Sequence, residues 1–110
     1  IRSVWFPSSK TILTAGEGIF IRNYLKQWRE FTETPRIYSD KIRGIALNDI
    51  VAVGSFGMVL HYNGKTWKYF DNFYGHYIWN SHDYKNNTII AVGYTGGING
   101  AAKILYGKHN

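Results

Sequence analysis

Cysteine is absent from the 110 residues. Disulfide staples, thiolate metal sites and cysteine nucleophiles are therefore excluded, and the redox compartment is left open. Proline occurs twice and methionine once. No apolar run exceeds about five residues, far short of what a bilayer-spanning helix needs. Nor does any stretch carry an apolar stripe of 3.6-residue period between helix caps. Charged residues reach only 18%, too few for a solvated tail, against 45% hydrophobic residues, so the composition is that of a folding chain. What is abundant is aromatic: nine Tyr, six Phe and four Trp, beside twelve Gly. Thirteen Lys and Arg against seven Asp and Glu leave a net charge of +6. The length fits one domain or part of a larger one. The chain opens at Ile1 without an initiator Met, which raises the expectation of a piece of a longer polypeptide.

The sequence repeats. Thr14-Ala15-Gly16-Glu17-Gly18, Ala52-Val53-Gly54-Ser55-Phe56-Gly57 and Ala91-Val92-Gly93-Tyr94-Thr95-Gly96 share one pattern. Their first glycines are 38 and 39 residues apart, their last glycines 39 and 39, and Trp28 and Trp67 are again 39 apart. A fixed period of this size is the mark of a repeat architecture.

Inside the repeat the local signal is β. In the middle copy Ile42–Leu47, Ile50–Val53, Met58–Tyr62 and Thr66–Phe70 are rich in β-branched and aromatic residues, with Asn, Asp and Gly at the joints. Asn63-Gly64 predicts a type I′ hairpin, whose two central residues both need φ > 0. The second strand is almost wholly apolar, as expected when both faces are covered. In the first copy the strands fall at Val4–Phe6, Thr11–Thr14, Ile19–Arg22 and Gln27–Phe31; in the third, at Tyr77–Trp79, Thr88–Val92 and Ala102–Tyr106. Four strands in about forty residues make a propeller blade. The expected fold is an all-β propeller fragment of three blades, at residues 1–34, 35–73 and 74–110, the last lacking its outer strand. Rings of four to eight blades close, so the remainder is expected from the rest of a longer chain or from other chains.

The string from Ala52 to Trp67, Ala-Val-Gly-Ser-Phe-Gly-Met-Val-Leu-His-Tyr-Asn-Gly-Lys-Thr-Trp, resembles a bacterial β-propeller repeat of secreted and surface proteins. Distant relatives of that repeat include the photosystem II assembly factor and the BNR/Asp-box proteins. Gly64, Thr66 and Trp67 match the tail of the Asp box, while Leu60 and Tyr62 stand where its Ser and Asp belong. The resemblance implies an extracellular or cell-surface location.

The chemistry-bearing residues are sparse. Seven carboxylates, Glu17, Glu30, Glu33, Asp40, Asp49, Asp71 and Asp83, show no spacing that pairs two across a glycosidic bond. Asp49 and Asp71 sit at turns, where such side chains bond nearby backbone. His61, His76, His82 and His109 form no metal-ligand frame, and no cofactor loop is present. Lys and Arg are scattered, which argues against a nucleic-acid partner despite the net charge. Asn86-Asn87-Thr88 matches a glycosylation sequon. Gly16, Gly54, Gly93, Trp28 and Trp67 recur between copies and so are expected to serve the scaffold.

Positions that differ between copies are the better site candidates. The connections on one face of the expected propeller gather Phe56, Phe73, Tyr74, His76, Tyr77, Tyr94 and Asn99. Exposed aromatics with Asn and His suit sugar stacking or protein contact. The expected function is a non-catalytic binding or scaffold module for protein or glycan recognition. A glycan-active propeller enzyme and a purely structural domain of a surface assembly are the alternatives.

Overall fold

The computed structural model describes the chain except residues 24, 25, 36, 37, 72, 73, 97–99, 109 and 110. Among the described residues eleven strands form three open antiparallel sheets, with a 3-10 turn at Ser55–Gly57 and no α-helix. The first sheet is β1 (Ser3–Ser8), β2 (Thr11–Gly16), β3 (Gly18–Arg22) and β4 (Trp28–Glu30), paired in chain order. The second is β5 (Ser39–Ala46), β6 (Asp49–Gly54), β7 (Val59–Tyr62) and β8 (Trp67–Tyr69). The third has three strands, β9 (Tyr77–Lys85), β10 (Thr88–Thr95) and β11 (Ala102–Lys108). The four, four and three strands fall where the repeat places them.

The sheets stack face to face in chain order, with β1, β5 and β9 adjacent. Period-two alternation in β6 divides the core. Ile50 and Ala52 enter a cluster with Leu13, Ala15, Ile19 and Phe31 of the first sheet and its following loop. Val51 and Val53 enter another with Trp79, Tyr84 and Ala91 of the third. All four β6 residues are fully buried, which accounts for a strand with no polar side.

Polar ties join neighbouring sheets. The Ile42 N–H donates to Ser3 Oγ at 3.1 Å, and Arg43 donates to the Val4 carbonyl at 3.1 Å. Asp49 accepts from the Tyr84 hydroxyl at 2.6 Å and lies 2.7 Å from His61 Nε2. Burial, with the Asp49 carboxylate beside it, pushes the Tyr84 phenol well above its usual range.

Two glycines mark close approach of backbones. A Cβ on Gly54 would strike the Tyr38 carbonyl oxygen, and one on Gly93 the Ile78 carbonyl oxygen. The hairpin expectation at Asn63-Gly64 needs correction. Only Gly64 has positive φ there, while Asn63 uses its side-chain oxygen to accept the N–H groups of Lys65 and Thr66, both at 2.9 Å. The turn with positive φ at both central residues is Asn86-Asn87, at 51° and 56°, between β9 and β10. The expectation for Trp28 also fails: it is 52% exposed, whereas Trp67 is buried. Trp67 packs edge-on against Phe31 of the neighbouring sheet, and on the corresponding side of Trp28 the described residues place no sheet.

Candidate functional site

The most concentrated exposed aromatics lie where the second sheet meets the third. The turn after β6 brings Phe56 out in the left-handed region, at φ 57° and ψ 29°. An L-residue with a bulky side chain occupies that region at a cost, and Gly57 after it has φ 71°. Phe56 is nevertheless 46% exposed, so little burial of its own ring offsets that cost.

Backbone hydrogen bonds fix the facing segment, residues 74–77. The Tyr74 N–H donates to the Asp71 carbonyl at 3.0 Å, and the Gly75 N–H to the Phe56 carbonyl at 3.1 Å. The Gly96 N–H donates to the His76 carbonyl at 3.0 Å. Three connections are thus sewn together at one end of the stack. The Tyr74 ring then lies nearly parallel to that of Phe56, centroids 6.3 Å apart and planes at 14°.

Beside this pair opens a cleft of about 250 Å³ lined by Ser55, Phe56, His76, Tyr77, Ile78 and Gly96. Among its lining residues Tyr77 is held edge-on against buried Trp79 at 5.3 Å, with Lys103 Nζ 4.9 Å from the ring centroid. No carboxylate is among the described lining residues. Burial raises the neighbouring phenol of Tyr69, and Tyr74, Asp71 and Tyr77 add to that rise.

Of the seven candidates from the sequence, the structure brings Phe56, Tyr74, His76 and Tyr77 together. Tyr94 is not one of the cleft's lining residues. It pairs with Ile78 and Ala102 on the side of β10 that faces away from the second sheet, beside a separate shallow depression formed by residues 93–96 and 100–102. Phe73 and Asn99 lie outside the described residues. Ser55, Ile78 and Gly96 were not singled out from the sequence. Ser55 and Gly96 lie within the recurring glycine motifs, so asking which motif positions vary would have pointed to Ser55. Nothing in the sequence marked Ile78.

A second cleft, between β5 and β9, is lined by Lys41, Arg43, Ser81, His82, Asp83, Ile90 and Val92. His82 is buried, and neither ring nitrogen has a hydrogen-bond partner of good geometry. Burial lowers its pKa to about 4; the Val51 backbone opposes that shift, while the cations Arg43 and Lys41 add to it against a smaller rise from Asp83. Among the described residues no three His, Asp or Glu side chains stand close enough to share a metal ion. Nor is any described helix long and apolar enough to cross a membrane.

No family model matches the chain, and neither a curated protein nor a solved structure is significantly similar to it.

Proposed function

We propose that the chain is a run of three propeller blades that acts as a non-catalytic recognition module, with the Phe56–Tyr74 cleft as its binding surface. Support for the propeller reading is the stacking in chain order of four-, four- and three-stranded meanders with their first strands adjacent. An extracellular or cell-surface location rests on the resemblance of the repeat. The observation that carries the binding role is the exposed parallel ring pair, one ring held in a strained backbone conformation beside a cleft with few polar groups.

The favoured ligand is a glycan. The nearly parallel ring pair offers an exposed aromatic face for the apolar face of a sugar, and the Ser55 hydroxyl and His76 supply directional contacts. At about 250 Å³ the cleft holds one ring rather than a chain. A protein loop inserting an apolar side chain is the second reading, favoured by the Ile78 and Phe56 lining. Hydrolysis is disfavoured, because the cleft presents no carboxylate pair.

The test is an amide-resolved NMR titration with a panel of simple glycosides, followed by Phe56→Ala and Tyr74→Ala. The reading expects shifts at residues 55–57 and 74–78, and affinity at least about tenfold weaker in each variant, as for a lost aromatic anchor. Tyr94→Ala is expected to bind unchanged. Silence across the whole panel would sink the glycan reading, and shifts unaffected by either substitution would sink the cleft.

A further inference from the structure

The two ends of the stack carry the two halves of one interface. The glycine that closes each second strand sets the correspondence: Gly16 with Gly54 with Gly93. Leu13 and Ala15 then match Val51 and Val53, which match Ile90 and Val92. The first pair is buried against the second sheet and the next pair against the third. Ile90 and Val92, in the same register, are 47% and 46% exposed. Strand pairing sets Tyr106 beside Ile90 and Ile104 beside Val92, and both are more exposed still, at 63% and 76%. This is a contiguous apolar face of the kind that soluble chains cover.

The opposite end carries the other half. Ile12 and Thr14 match Ile50 and Ala52, the residues with which the second sheet meets the first. Around them on the same face of the first sheet stand Val4, Phe20 and Trp28, placed there by the pairings Val4–Thr14, Thr14–Phe20 and Arg22–Trp28. Val4 is 48% exposed and Trp28 52%. Trp28 matches Trp67, which fills the interface between the first two sheets.

We propose that the exposed face of the third sheet docks on the exposed face of the first sheet of a second copy of this chain. The contact continues an interface the chain already makes twice within itself, between its first and second and its second and third sheets. Both internal contacts join a face of the Val51 kind to a face of the Ile50 kind, never like to like. The association is therefore head to tail, a heterologous contact that closes only as a ring of copies.

Two variants and their mixture test this. Sedimentation equilibrium of the unsubstituted chain is expected to give a mass of at least two copies of 12.7 kDa. Ile104→Asp breaks one face and Trp28→Asp the other, and each alone is expected to be monomeric. Mixed in equal amounts they retain one intact pair of faces and are expected to form a one-to-one dimer. Circular dichroism checks that each keeps its strand content. Where an Asp variant does not, Ile104→Thr and Trp28→Thr carry the same mixing test. A monomeric unsubstituted chain, continued association of Trp28→Asp by itself, or a mixture that stays monomeric would each overturn the proposal.

Discussion

The second strands of the second and third sheets, Ile50–Gly54 and Ile89–Gly93, are written in nearly the same residues and live in different surroundings. Val51 and Val53 are fully buried, while Ile90 and Val92, their counterparts one repeat later, are about half exposed. Over these residues the two strands are alike, since both are β-branched and run into the same Ala-Val-Gly. Position in the stack makes the difference: the second sheet has a neighbour on each side, and the third has a described neighbour on one side only. A repeat therefore encodes a two-faced element, and burial is settled by what stands next to it.

The largest expected effect follows directly. Ile50→Ala removes a fully buried side chain and should cost about 2–5 kcal/mol in denaturant unfolding. Ile90→Ala, at a half-exposed site, should stay within about 0.5 kcal/mol when measured at high dilution. Equal losses at the two positions would break the comparison.

Acid should act on one interface more than the other. His82 sits between the second and third sheets, at the register position that Ile42 holds between the first and second. Its folded pKa is lowered to about 4, below the ordinary value near 6.5. The unfolded chain therefore takes up the proton first as pH falls. Stability is full above about pH 6.5 and declines toward pH 4, by up to about 3 kcal/mol. His82→Gln should flatten that decline in pH-dependent unfolding, and an unchanged slope would exclude His82 as its source.

Gly54→Ala and Gly93→Ala sharpen the comparison from the opposite direction. The added methyls meet the carbonyl oxygens of Tyr38, just before β5, and of Ile78 in β9, so both should cost about 1–3 kcal/mol or more in thermal unfolding despite the unequal burial of their sheets. Phe56→Gly should go the other way. Relief of the left-handed backbone at Phe56 should stabilise the fold by about 1 kcal/mol while abolishing binding at the cleft, a separation of stability from function that a structural role for the ring would not produce. A small effect is also expected at Arg2. Its bond to Asp40 is 3.0 Å long, but the Arg2 side chain is half exposed, so Arg2→Ala should cost less than about 1 kcal/mol and lose even that in high salt.

Much of this architecture was legible because repeats expose themselves: the 39-residue spacing and the alternation of turn and β-branched residues place all eleven strands. The close-approach glycines were legible for the same reason. Facing was not. Trp28 and Trp67 are equivalent in sequence, yet one lies open because burial is a property of the stack. Chain position groups Tyr94 with Phe56, Tyr74, His76 and Tyr77, but the alternation of β10, in which Ala91 faces the second sheet, puts it on the far face. The Asp49–His61–Tyr84 cluster joins residues up to 35 apart, a distance over which turn and strand patterns carry no signal. The backbone strain at Phe56 was equally invisible, because Phe is not a residue that announces positive φ.

Amide hydrogen exchange on the dilute chain tests the central claim most directly. If burial follows from position in the stack, the amides of Val51, Ala52 and Val53 should exchange only through global unfolding. Those on the free edge of β11, within Ala102–Lys108, should exchange many-fold faster through local opening. Equal protection of β6 and that edge would contradict the account.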